Sequence, residues 1–121
     1  MFTVAKYDVV SDERVSLDAG EAHDFPLETP GIRPDIRSLL SFMFAPLSQS
    51  SVEFKMLIAN SNGINEIGRR SSGVEAPGTS RVLQYVIKAG VLQTSGNTLR
   101  IEVIEGDAAF SDIMLWYQTE V

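Results

Sequence analysis

The sequence predicts an all-β protein in which two antiparallel sheets, of about eight strands in total, pack face to face. Three observations predict it. Apolar and polar residues alternate with period two in segments recurring about every ten to fifteen residues. No segment holds a helical apolar period for three turns. Gly, Pro and Asn stand between the alternating runs, where turns need them.

The first strand is read from Phe2, Val4 and Lys6 alternating with Thr3, Ala5, Tyr7 and Val9, ahead of a charged turn at Ser11, Asp12, Glu13 and Arg14. Val15 to Leu17 is a short strand. Ala22 to Leu27 is another, with His23, Phe25 and Leu27 on one face. Pro26 suits an edge there, because it cannot donate to a ladder. Thr29 to Asp35 holds two prolines and a glycine and is a long connection. Leu39 to Ala45 is apolar on both faces, as expected of a central strand covered on both sides, and Pro46 stops it.

Val52, Phe54, Met56 and Ile58 alternate with Glu53, Lys55, Leu57 and Ala59 in the cleanest half-buried strand. Asn62-Gly63 follows, the pair expected at the centre of a type I′ hairpin turn, where both residues take positive φ. Ile64 to Ile67 is the returning strand, and Arg69 to Ser80, rich in Gly, Ser and Pro, is an exposed loop. Leu83, Tyr85 and Ile87 form one face of the next strand, opposite Val82, Gln84, Val86 and Lys88. Beyond the Ala89-Gly90 turn, Leu99, Ile101 and Val103 point one way. In the last strand Ile113, Leu115 and Tyr117 oppose Asp112, Met114, Trp116 and Gln118.

Composition narrows the function classes. A chain of 121 residues is expected to form one domain spanning 1–121. Sixteen acidic against ten basic residues give a net charge of −6, which opposes approach to phosphate backbones, so nucleic acid is not an expected partner. No run reaches the length of about 20 apolar residues that spans a bilayer, so no membrane is expected either. Met1 to Val15 does not read as a signal peptide, and the chain is expected to be soluble with its compartment open. With no cysteine, disulfides, thiolate catalysis and cysteine-bound zinc are excluded together.

Gly90-Val91-Leu92, then Gly96-Asn97, the strand Leu99 to Val103, the Gly106-Asp107 break and a final strand opening on Asp112 form one group of signals. The strand Glu53 to Asn60, ending in Asn, is another. In this arrangement, covering roughly Leu39 to Tyr117, the chain resembles the galactose-binding-domain-like jelly rolls, which include modules that bind carbohydrate. The resemblance implies a jelly-roll sandwich that binds rather than catalyses. It also implies a place for a structural calcium near the chain ends, with Asp112 and Asp18 or Glu21 as its oxygen ligands.

Two functions remain open. A lectin-like, carbohydrate-binding module needs an aromatic platform and hydroxyl partners. Trp116 is the leading platform, with Tyr7, Tyr85 and Tyr117 as other aromatic candidates. Arg69, Arg70, Asn97 and Asp107 are the candidate partners, although Gly96-Asn97 also reads as a structural turn. The alternative is a structural or assembly subunit, a homo-oligomer joined through an apolar sheet face bearing Trp116 and Met114, or Leu39 and Met43, or Leu57 and Ala59. An enzyme is not expected. His23 is the only histidine and there is no Gly-x-Ser-x-Gly elbow. A catalytic pair could be drawn from Glu53, Glu66, Glu102, Glu105, Asp107 and Asp112, but nothing in the pattern selects one.

Overall fold

The computed structural model describes residues 3–74 and 76–120; Phe2 of the first expected strand lies outside them. Nine strands follow in chain order: β1 Thr3–Ser11, β2 Val15–Asp18, β3 Ala22–Leu27, β4 Ser38–Pro46, β5 Val52–Asn60, β6 Gly63–Ser72, β7 Arg81–Ile87, β8 Asn97–Glu105 and β9 Asp107–Glu120. No helix occurs among the described residues, and hence none long and apolar enough to cross a membrane.

The strands form two antiparallel sheets. In the five-stranded sheet the order is β1, β9, β4, β7, with β2 continuing β1's side of β9. β2 pairs the start of β9, from Asp107 to Phe110, and β1 pairs its remainder. The four-stranded sheet has the order β3, β8, β5, β6. From β2 onward the chain passes repeatedly between the sheets, and the result is a jelly-roll sandwich.

Alternation explains which side chains lie between the sheets. Leu40, Phe42 and Phe44 of β4 face Phe54, Met56 and Ile58 of β5, and all six are buried. Phe54 meets Phe110 edge-to-face with centroids 5.0 Å apart, and Phe42 at 6.1 Å, geometries that aromatic quadrupoles favour. Leu99, Ile101 and Val103 of β8 complete the layer.

β9 needs a device to serve this core. Phe110 and Ile113 are three residues apart, yet both point inward and are fully buried. The register against β4 gives the reason: Met43 pairs Ser111 while Ser41 pairs Met114, so β9 carries one extra residue. Asp112 occupies that bulge with φ 49°, a left-handed conformation that Asp tolerates better than most residues. The bulge resets the alternation and leaves Met114 and Trp116 facing outward.

Three expectations are corrected. β6 runs on to Ser72, so Arg69 and Arg70 lie in a strand and not in a loop; β5 supplies ladder partners for them in Lys55 and Phe54. The β5–β6 hairpin exists, but Asn60 pairs Gly63, which makes Ser61 and Asn62 the central residues. Asn62 has no positive φ; Gly63 alone takes it, at 114°. The Asn60 side chain receives the Asn62 backbone N–H at 3.0 Å and braces the turn. Finally, β4 is central, but Leu39 and Met43 on its outer face are only half-buried, because no second layer covers that side.

Candidate functional site

The outer face of the five-stranded sheet carries a row of side chains across four strands. Tyr7 of β1 pairs Trp116 of β9, Trp116 pairs Leu39 of β4, and Leu39 pairs Val86 of β7. Directly opposed residues share a face, so the four form one apolar line about 14 Å long at ordinary strand spacing. The neighbouring row is Val9, Met114, Ser41 and Gln84. Trp116 is 39% exposed and Tyr7 58%. Their rings meet with centroids 5.0 Å apart, tilted by 42°. Beside them is a shallow depression of about 330 Å³ whose lining includes Ala5, Arg37, Leu39, Val86, Trp116 and Gln118.

The arrangement offers ring faces, aliphatic floor and a few polar groups at the edge, which is the composition of a small-ligand surface. Gln118 shares the outward side of β9 with Trp116, and Arg37 precedes β4 two residues before Leu39. No described carboxylate lines the depression.

The other residues singled out in the sequence are dispersed. Arg69 lies on the outer face of the four-stranded sheet, on the opposite side of the sandwich from Trp116. Its guanidinium donates to Glu53 Oε2 and to Glu66 Oε1, both at 2.9 Å, and this contact holds the Glu66 carboxyl below its ordinary value. Arg70 is on the inward side of β6, opposite Phe54, where its charge acts on Tyr85. Burial pushes the Tyr85 phenol up.

Asn97 is buried and its amide is fully engaged. Its Oδ1 accepts from the Gln93 backbone N–H at 2.9 Å and from Asn60 Nδ2 at 3.0 Å, while its Nδ2 donates to the Gln93 carbonyl at 2.8 Å. It pins the β7–β8 connection to the end of β5. The turn reading of Gly96-Asn97 accounts for these bonds, and Gly96 takes φ 74° there.

Asp107 opens β9 opposite Asp18 and accepts a hydrogen bond from the Ser48 hydroxyl. Asp112 is five residues further along β9, roughly 16 Å away at the rise of an extended strand. The calcium ligands implied by the resemblance are therefore not brought together: Asp18 stands beside Asp107, and Glu21 is turned back to accept from the Asp18 backbone N–H at 2.7 Å. Among the described residues no group of three or more His, Asp or Glu could hold a metal ion.

Of the sequence candidates, the structure places Trp116 and Tyr7 together. The sequence signal for this is limited to Trp116, which alternates with the buried Leu115 and Tyr117; the neighbours of Tyr7 in β1, Lys6 and Asp8, are not buried. Arg37 is not among the sequence candidates, because its position beside Trp116 follows from the β4–β9 register, which no local pattern encodes; Gln118 is placed on the face of Trp116 by alternation along β9 without being read there as a site residue.

Comparison with known proteins gives fold, not ancestry. No family model matches the sequence, and no curated protein is similar to it. Among solved structures, the chain is similar to the CBM22-1 and GH10 modules of Clostridium thermocellum endo-1,4-β-D-xylanase 10B, solved with xylohexaose. The TM-score is 0.53 at 11% identity, over 93% of this chain and 26% of that one. It is similar to the C-terminal family 22 carbohydrate-binding module of Clostridium thermocellum Xyn10B, with TM-score 0.51 and 12% identity over 95% of this chain and 84% of that one. It is also similar to an arabinose-bound MgGH51 α-L-arabinofuranosidase, with TM-score 0.53 and 12% identity over 94% of this chain and 22% of that one. The chain thus spans about a quarter of the length of the xylanase and arabinofuranosidase chains. At these identities the likeness is one of architecture, and the chain has the jelly-roll fold found in carbohydrate-binding modules.

Proposed function

We propose that this chain is a non-catalytic, lectin-like carbohydrate-binding module, folded as one sandwich over 1–121, whose ligand lies on the outer face of the five-stranded sheet. The observation that carries the reading is the exposed Tyr7–Trp116 pair beside a shallow depression. The apolar face of a pyranose stacks on such rings, and Gln118 and Gln84 stand on the same outward face, in the rows on either side of Trp116, to meet hydroxyls. The fold shared with a family 22 module supports this choice over a catalytic one. Of the sequence candidates, Trp116 belongs to this site; Arg69, Arg70, Asn97 and Asp107 do not.

Trp116 is the only tryptophan, so its fluorescence reports this face alone. Titration with xylo-, gluco- and galacto-oligosaccharides is expected to shift or quench the emission saturably for at least one of them. No change with any glycan of a broad array, together with no binding by calorimetry, would end the reading.

The second reading is self-association through the same face, favoured by the exposure of Val9, Val82 and Val86 around Tyr7 and Trp116. Light scattering separates the two. A monomer at all concentrations leaves the face free for a glycan, whereas an oligomer dispersed by Val86→Lys assigns it to a subunit contact.

A further inference from the structure

Arg37 differs from three of the other arginines and shares its lack of an ion pair with Arg14, in the turn after β1. Arg33, Arg69 and Arg100 each hold a carboxylate at 2.9 Å or less, on Asp35, Glu53 and Asp24 respectively. Arg37 makes no hydrogen bond or ion pair among the described residues, although the chain has sixteen acidic side chains against ten basic ones. Asp35, the acid of its own connection, is taken by Arg33 through two hydrogen bonds of 2.9 and 2.7 Å. That contact holds the Asp35 carboxyl below its ordinary value and leaves it committed.

The position of Arg37 gives this charge a use. Its side chain is exposed and lines the depression beside Trp116, Leu39 and Val86, with no described carboxylate in the lining. Lys88 follows the end of β7 next to Ile87, the ladder partner of Ser38, so a second exposed cation stands at the same end of the sheet. A guanidinium presents paired N–H groups in a fork that matches a carboxylate, and a neutral sugar has no group that uses the fork fully.

We propose that the ligand is an acidic glycan, with a uronate ring stacked on Trp116 and its carboxylate held by Arg37. The inference rests on the glycan reading of this face and adds the class of sugar. Attraction at Arg37 is local: the chain's net negative charge opposes an acidic polymer everywhere else, so recognition is expected to weaken with salt and to be confined to one unit of the polymer.

The test pairs acidic oligosaccharides with their carboxyl-reduced neutral counterparts, using galacturonate, glucuronate-substituted xylan and mannuronate series. Affinities are read by calorimetry and Trp116 fluorescence. At least one acidic member should bind about tenfold or more tightly than its neutral counterpart, the scale of one charge-assisted contact. In Arg37→Ala that ratio should collapse towards one, with circular dichroism confirming the fold. If wild type binds neutral members as well as acidic ones, or if Arg37→Ala keeps the preference, the inference is overturned and the glycan reading stands. If no member of either series binds, the inference is overturned, and the broad glycan array decides whether the glycan reading falls with it.

Discussion

The five-stranded sheet turns Tyr7, Val9, Val82, Val86 and Trp116 to solvent, whereas the four-stranded sheet turns out Asp24, Lys55, Arg69, Arg100 and Glu102. Both faces come from strands with the same alternation, and both back onto one core. On the four-stranded side each charge has a neighbour. Arg100 donates to Asp24 at 2.8 and 3.2 Å, and Lys55 lies 3.3 Å from Glu102. Exposed pairs of this kind add little stability and keep a sheet face soluble. The other face lacks such pairs around Trp116 and holds five of the nine exposed large apolar side chains among the described residues. An exposed apolar row contributes little to folding, because it stays in water in the folded state as it was in the unfolded one. Its concentration on one face calls for a ligand or a partner, and the paired face does not.

The strongest way to break the comparison is to remove what both faces share. Phe54 is fully buried and touches Phe42, Phe44 and Phe110 across the sandwich. Phe54→Ala is expected to cost about 3–5 kcal/mol in denaturant unfolding and to abolish binding at Trp116 with it. A loss under about 1 kcal/mol would mean that the two sheets are held together elsewhere.

Asn97→Ala tests a residue that belongs to neither face. It strips partners from the Gln93 backbone N–H and from Asn60 Nδ2, and unsatisfied buried groups cost about 1–3 kcal/mol. Stability should fall by about 2 kcal/mol. Affinity at Trp116, measured well below the new Tm, should stay as it was. Lost affinity with unchanged stability would return Asn97 to the list of ligand groups.

These two residues also mark what could be read in the sequence. Phe54, Met56 and Ile58 announced their inward face through simple alternation, and the structure buries all three. Ala22 to Leu27 was legible to the residue for the same reason. Asn97 was legible as a turn residue, since Gly-Asn chemistry is local. Arg69 and Arg70 fall in the expected loop because the stretch Arg69 to Ser80 is rich in Gly, Ser and Pro. In the structure Gly68 is a strand residue whose missing side chain makes room for the Tyr85 ring, which an added Cβ would approach to 2.5 Å. The Tyr7–Trp116 contact depends on the pairing of chain ends more than a hundred residues apart, and the place of Arg37 on the β4–β9 register; single-strand patterns carry neither.

Exposed valines on the five-stranded side give a smaller effect. Val9 is 52% and Val86 53% exposed. Val9→Thr and Val86→Thr keep the β-branched shape while adding a hydroxyl, and each should change unfolding free energy by less than about 0.5 kcal/mol. A larger loss in either would show that the apolar row serves folding, and the contrast between the faces would lose its functional meaning.

Acid sharpens the comparison with the smallest effect. Asp24 has its carboxyl held below the ordinary value of 3.8, chiefly by the hydrogen bond from Arg100, and Glu66 is lowered chiefly by the one from Arg69. For a carboxyl lowered in the folded state, the contribution is fully present above the unfolded-state value and disappears as pH falls through the folded-state one. Stability should therefore stay flat down to about pH 5 and slip below about pH 4. Both groups are exposed, so the slip should be slight and should fade in high salt, where screening has already weakened the pairs. In Arg100→Ala it should shrink further. Trp116 emission should not follow the titration of Asp24 and Glu66, because both lie on the other side of the sandwich; emission that moved with it in Asp35→Asn, which removes the lowered carboxyl nearest Arg37, would mean that the faces are coupled through the core rather than independent.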